Sequence, residues 1–458
     1  MVFAARIQFA FTVMFHYLFP ILTMGLGFFI ALMSTLHLTT GDRRWDEAAR
    51  FWARIFAIGF VVGVVTGIPL EFEFGSNWAA FSAYGGSLFG QLLPMEGVYA
   101  FFLESGFLGL FLFGRGRVGK WLHWAAGLGV GVGSLLSGYF ITAANAWMQH
   151  PVGYRLDAHG QPQLVSFWAV LFNPFAGWQY AHVVNGALLA GAFVMAAIAA
   201  FYLLSRRHQE FAQNTLRLAV VAGCILSLTQ LFPTGDLEGR HVAGWQPAKL
   251  AAMEGLYQTR AGAPLAVMGM PNSRNQTLLD PVYVPRILSF LAYGSFRAQV
   301  VGLAAYPRDL WPPVALTYYA YHIMVGLGTI FVVIMLAGAF LLWRRRLYRS
   351  RWFLWVLMLA LPFPFIANEA GWMATEVGRQ PWLVYGLLRT AQGVSPNVAA
   401  GETIFTLLGF MGIYAVLALL YLFLTARVIG AGPESGTHGG AAGGDEASHA
   451  AAIGEKSA

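Results

Sequence analysis

Glu96 and Glu104 stand eight residues apart in MEGVYAFFLESGFLGLFLFG, residues 95–114, an apolar run long enough to cross a bilayer. A charge at the bilayer centre costs about 3 kcal/mol on insertion scales, so acids retained there imply an interior that offsets the cost. Eight residues of α-helix separate the two carboxylates by about 12 Å along the axis and about 80° around it. That spacing suits two stations of a proton route, or one station and one cofactor neighbour. Further along, SLLSGYFITAANAWMQHPVG carries Ser134, Ser137, Thr142 and Asn145. These small polar groups suit hydrogen bonds or water beside the glutamates, and equally suit contacts between helices.

Histidines and one methionine sit in other apolar runs. His16 lies in FTVMFHYLFP and His182 in YAHVVNGALLAGAF. Each is read two ways, as a packed, hydrogen-bonded core residue or as a metal ligand. Gly186 and Gly191 thin the helix surface near His182, which suits a flat macrocycle or a neighbouring helix. His322 and Met324, in YYAYHIMVGLG, point about 200° apart on a helix and do not share one metal ion. Met324 with a histidine from another helix would form a low-spin heme ligand pair. In NEAGWMATEVGRQPW, Glu369 and Glu376 share a helix face and Arg379 follows Glu376 by three. That pattern is either a structural ion pair or a carboxylate serving a metal or proton, with Arg379 on an acidic group such as a propionate.

The elements that position these residues are membrane spans. The chain has 458 residues, is 57% hydrophobic and only 11% charged, with a mean hydropathy of +0.59. An ordinary soluble domain carries about 25% charged residues. The expected fold is therefore all-α, a polytopic membrane bundle. Nine spans are predicted near 8–34, 51–74, 90–113, 121–146, 178–204, 215–232, 314–343, 352–373 and 402–426. No internal repeat is visible, which argues against a repeat-built transporter. The N-terminal apolar run contains His16 and reads as a retained span. The single cysteine, Cys224, excludes an internal disulfide, a cysteine zinc cluster and an iron–sulfur centre.

The net charge of +7 belongs to loops. Arg43, Arg44, Arg50 and Arg54 follow span one; Arg115, Arg117 and Lys120 follow span three; Arg206 and Arg207 follow span five. WRRRLYRSR follows span seven and Arg427 span nine. Positive-inside places these loops and the C-terminus in the cytoplasm and the N-terminus outside. Nucleic acid is not needed to explain the charge. Residues 233–311 form one long outer loop, far longer than a connection requires. The Gly/Ala-rich tail, residues 431–458, reads as disordered.

The combination resembles subunit I of the cytochrome bd-type quinol oxidases. EVGRQPW, residues 376–382, carries the match most strongly. RIQFAFTVMFHYLF, EGVYAFFLES, NAWMQHPVG and GWQPAKLAAMEG support it, in order, over residues 5 to 426. The resemblance implies three hemes within residues 1–430: a low-spin heme b on His182 and Met324, then a high-spin heme b and heme d on His16 and Glu376. Which of the last two ligates which heme stays open. It also implies Arg379 as a propionate partner, and Glu96 and Glu104 as proton carriers near the high-spin hemes. Residues 233–311 match the periplasmic quinol loop, with Lys249 and Glu254 at positions tied to quinol oxidation. The loop resembles the short-loop group that includes cyanide-insensitive oxidases, and some of that group hold heme b in place of heme d. Many members carry Arg where this chain has His322, so a titratable ring replaces a fixed charge there.

The activity implied is oxidation of quinol at the outer face and reduction of dioxygen to water with cytoplasmic protons. Proton motive force then arises without a pump. The implied setting is the bacterial cytoplasmic (inner) membrane, with a subunit II and room for a small single-span subunit. Two rivals remain for the structure to weigh. A cofactor-free proton-coupled transporter would also need buried acids, but not His and Met on separate helices. A heme–copper oxidase wants a cluster of histidines with an adjacent pair, and none of the 11 histidines is adjacent to another.

Overall fold

The computed structural model describes residues 1–433. Among them are nine helices long and apolar enough to cross a membrane: Val2–Thr40, Arg43–Ser76, Ala79–Phe113, Lys120–Gln149, Phe167–Leu204, Gln209–Trp245, Arg308–Trp343, Arg351–Gly378 and Ala400–Ala431. Most overrun their predicted apolar windows at both ends. Hydropathy marks the segment in hydrocarbon, whereas helices continue into the interface until a cap stops them. The first span ends at Gly41, whose φ of +71° closes the helix with an N–H to His37 carbonyl bond. Asp42 then caps the second span, its side chain accepting from the Arg44 N–H at 3.0 Å.

Five spans are not simple rods. The fifth breaks into Phe167–Leu171 and Pro174–Leu204, and the seventh opens with a 3-10 turn at Arg308–Leu310 before the helix Val314–Trp343. The third passes through a π-helical stretch at Val98–Glu104. The sixth bends at Phe232, whose φ of −147° and ψ of 122° leave the helical region, and resumes as Asp236–Trp245. The segment 233–311 therefore opens with a helix, Asp236–Trp245, set off from the rest of span six by the bend. Apolarity drops at Asp236, but acids in a first turn favour a helix start, and Asp236 pairs with Arg240 at 2.9 Å. The eighth span breaks into Arg351–Leu359 and Phe363–Gly378 at the prolines of LPFP. The predicted end at 373 moves to Gly378, which puts Glu376 on the helix.

Spans one and five form the centre. They touch at Gly25 and Gly191, where a Cβ on Gly25 would lie 3.0 Å from the Gly191 Cα. Around that crossing Leu26, Phe29, Met33, Trp52, Phe56 and Phe193 are buried in one cluster. Spans seven and nine are peripheral, with long exposed apolar faces.

The basic loops gather at one end. Arg44 pairs with Glu210 at 3.3 Å, Arg115 with Asp46, and Arg207 donates to the Gly430 carbonyl at 2.6 Å. The end of span nine lies there too. Thr403 reaches the Met1 sulfur at 3.4 Å, so the N-terminus lies at the other end, as an odd span count requires. That other end carries the long loop and, among the described residues, four two-stranded antiparallel sheets that hydropathy alone does not signal. The largest pairs Leu265–Asn272 with Thr277–Val284. The tail expected to be disordered falls on residues that, from 434 onward, lie outside the described ones.

Candidate functional site

Span three faces span four along a polar seam. Ser134 donates to Glu104 in a short hydrogen bond, and Ser137 donates to Glu96 at 3.2 Å. Glu104 is 4% exposed. The two serines are three residues apart and share a face of span four. Both glutamates reach that face. The stretch between them is π-helical, which turns through fewer degrees per residue than the α-helix. The helices are close here: a Cβ on Gly133 would make an ordinary 3.4 Å contact with the Glu104 Cβ. Thr142 instead bonds its own helix at Gly138, and Asn145 serves another acid.

That acid is Glu376. Its Oε1 accepts from Asn145 Nδ2 at 2.7 Å, Gln149 Nε2 at 3.1 Å and Arg379 Nη1 at 3.2 Å. Arg379 Nη2 bonds Oε2, so the expected pair is present and bidentate. Arg379 is 2% exposed and its Nε has no partner. Gln149 extends the network into the long loop, where its Oε1 accepts from Lys249 Nζ at 2.7 Å and Gln246 Nε2 at 3.0 Å. Lys249 lies against Gly378, where a Cβ would come within 2.8 Å of its Cγ. Burial lowers the Lys249 ammonium to about 7, helped by the Arg379 charge and opposed by Glu376 and Glu238.

Glu254, five residues on, faces elsewhere. It is 3% exposed, and burial raises its carboxyl to about 8. Neither oxygen is held in a well-formed hydrogen bond, although Tyr321 and the backbone at Ala266 approach closely enough to offset part of the shift. His322 meets the same strand: its Nε2 is 2.9 Å from the Ala266 carbonyl and its Nδ1 2.9 Å from the Tyr318 carbonyl. Both ring nitrogens face backbone carbonyls. The ring stacks on Tyr318 at 3.8 Å. The loop thus docks on span seven within one turn of Met324.

Met324 and the helix turn that follows His182 approach the same stretch of span eight. A Cβ on Gly371 would lie 2.8 Å from the Met324 sulfur, and one on Gly186, a turn beyond His182, would lie 2.9 Å from Asn368 Oδ1. Asn368 and Gly371 are three residues apart on one face. His182 Nδ1 is 3.3 Å from the Thr234 hydroxyl. His16 stands apart from that pair, its Nδ1 3.1 Å from the Thr66 hydroxyl. Glu369, paired with Glu376 by spacing, lies instead beside Tyr17, which packs edge-on to Trp372 at 5.8 Å.

These residues fit heme. The donors are imidazole, thioether and carboxylate, on separate helices, and small residues line the His and Met positions. Arg379 Nε is a buried donor free for a propionate oxygen. Sequence reasoning missed Gln149, Gln246, Thr66 and Thr234, whose types carry no signal in one dimension. It also missed Glu73, a buried acid that accepts from Thr12 at 2.6 Å. Its position inside the apolar run LEFEFG could have marked it.

The sequence profile of the cytochrome bd terminal oxidase subunit I family matches residues 4–433. The chain is 40% identical to cytochrome bd ubiquinol oxidase subunit 1 of Bacillus subtilis (strain 168), over 95% of this chain and 94% of that one. It is 33% identical to cytochrome bd-II ubiquinol oxidase subunit 1 of Escherichia coli (strain K12), over 94% and 96%. Among solved structures, the bd oxidase from Geobacillus thermodenitrificans superposes with a TM-score of 0.89 at 31% identity, covering 94% of this chain and 99% of that chain.

Proposed function

The chain belongs to the cytochrome bd terminal oxidase subunit I family, and on that premise we propose that it oxidises quinol at the loop end of the bundle and reduces dioxygen to water with protons drawn from the basic end. It is an oxidoreductase subunit, a multi-pass protein of the bacterial cytoplasmic membrane that acts with a subunit II. The positive-inside rule places the loop end outside and the basic loops in the cytoplasm. The observation that carries the reading is the network from Lys249 through Gln149 to Glu376 and Arg379, which ties the loop to the acid of EVGRQPW.

His182 and Met324 would hold a low-spin heme b; His16 and Glu376 would hold a high-spin heme b and heme d. Arg379 would take a propionate. When bound, these groups supply the one-electron carriers and the centre where dioxygen is reduced. Glu254 accepts a proton from the quinol hydroxyl, and Lys249 hydrogen-bonds the ring oxygen. Glu96 and Glu104, each held by a serine, carry protons inward from the cytoplasmic side. Release outside and uptake inside make the reaction electrogenic without a pump. A reduced-minus-oxidised visible spectrum, with and without carbon monoxide, tests the reading. Heme b bands with a far-red chlorin band are expected. Heme b bands alone, still sensitive to carbon monoxide, would replace heme d by heme b. A folded protein without heme bands would favour the transporter.

Two further results are expected. Glu254 must be ionised to accept a proton and is protonated below about 8. Quinol oxidation at saturating quinol therefore rises as pH passes through that value. Glu254→Gln removes this limb and slows turnover by about a hundredfold, the lower end of a general base contribution. A pH profile that survives the substitution rules the role out. Glu104→Ala is expected to lower oxygen uptake at least about tenfold, or to perturb the high-spin spectrum. If turnover and spectrum are both unchanged, Glu104 carries no protons.

A further inference from the structure

We propose that Thr66 and Thr234 are one device used twice. Each threonine hydroxyl holds the proton of a ligand histidine on Nδ1, and Nε2 is thereby presented to iron. The inference rests on the reading of His16 and His182 as heme ligands.

The tautomer follows from where each hydroxyl proton goes. Thr66 Oγ1 lies 2.9 Å from the Val62 carbonyl and 3.0 Å from the Gly63 carbonyl, so its one proton is given to the helix. Its oxygen then meets His16 Nδ1, at 3.1 Å, as an acceptor. Only a proton on Nδ1 completes that bond. Thr234 repeats the arrangement in a different backbone. In the bent part of span six its Oγ1 donates to the Thr229 carbonyl at 2.9 Å, and His182 Nδ1 lies 3.3 Å from it. Threonines that bond back to their own helix are common in this bundle, Thr35 among them. Thr66 and Thr234 differ in carrying an imidazole on the hydroxyl's other side.

At His16 a glycine also sets the ring plane. A Cβ on Gly67 would lie 3.1, 3.5 and 3.7 Å from Cε1, Nδ1 and Nε2 of His16, three ring atoms at similar distance. The ring therefore rests face-on against span two. At His182 the corresponding Gly235 does not do this, since a Cβ there would make an ordinary 3.5 Å contact with Cε1. The Gln230 amide is 3.3 and 3.2 Å from the two His182 nitrogens, so it sits over the ring and off the Nε2 lone-pair axis. An acceptor on Nδ1–H makes an imidazole a stronger donor to metal and locks its orientation.

The test uses the purified complex carrying Thr66→Val, Thr234→Val, the matching Thr→Ser changes, and His182→Ala. The readouts are heme content, visible spectra with and without carbon monoxide, and the midpoint potential of the low-spin heme. Thr234→Val is expected to weaken low-spin heme retention about 10- to 100-fold. Heme that remains should have a raised midpoint, because the weaker donor stabilises ferric iron less. Its carbon monoxide spectrum should be unchanged. Thr66→Val should do the converse, altering the carbon monoxide spectrum and leaving the low-spin potential in place. Serine should restore both. Valine variants identical to the parent, with the low-spin heme lost in His182→Ala, would overturn the device and leave the ligand reading standing. A low-spin spectrum that survives His182→Ala would overturn the ligand reading itself. Loss of all spectra in one valine variant would mark a packing lesion and also overturn the device.

Discussion

His182→Ala is expected to abolish the low-spin heme signal and to cut quinol-dependent oxygen uptake by on the order of a hundredfold or more, since a first ligand should matter at least as much as its supporting partners. The local fold should tolerate the change. Thr234 keeps its bonds to the Thr229 and Gln230 carbonyls, and the Gln230 amide oxygen stays paired with Asn185 at 2.6 Å. Only the bonds to the ring are lost, which costs about 1–3 kcal/mol. The carbon monoxide-binding spectrum should persist, because His16 and Glu376 lie on other helices. Spectra and oxygen uptake on the same preparation check this. An intact low-spin signal would remove His182 from the ligand set.

Glu376→Gln is expected to remove high-spin heme and to destabilise the protein as well. Arg379 is 2% exposed, and the substitution leaves its guanidinium without a counter-charge. Breaking a buried ion pair from one side costs about 3–5 kcal/mol. The Glu376 side chain is 35% exposed, so about 3 kcal/mol is the expected cost here. Asn145 and Gln149 can still donate to the amide oxygen, which spares the rest of the network. The double variant with Arg379→Gln should unfold at a higher temperature than Glu376→Gln alone, because the orphaned charge is gone. Thermal unfolding in detergent and the carbon monoxide spectrum separate the two effects. Equal stability of the single variant and the parent would show that the pair does not hold the loop end together.

Much of the site was legible before any coordinates. Glu96, Glu104, His16 and His182 stand out because ionisable residues are costly in an apolar run. The Glu376–Arg379 pair follows from its i, i+3 spacing and is present in the fold. The 80° offset between Glu96 and Glu104 holds for a regular helix, whereas the backbone from Val98 to Glu104 is π-helical. Hydropathy does not signal the helix Asp236–Trp245 at the start of the long loop. Of the two readings open for Asn145, the contact between helices is the one present: it bonds Glu376 of span eight.

What the sequence alone determined is the class of molecule: an all-helical membrane bundle, its number of spans among the described residues, and the residue types able to hold heme. Those properties are local. Hydropathy acts over about 20 residues, and charge asymmetry needs only the loops on either side. Only the tertiary structure decided which residues act together. Thr66 reaches His16 across 50 residues, Lys249 reaches Gln149 across 100, and Asn145 reaches Glu376 across 231. A hydrogen bond is selected by heavy-atom distances near 3 Å and by direction. No periodicity in one dimension encodes which helix faces will come that close, because helix packing sets it by the fit of whole surfaces.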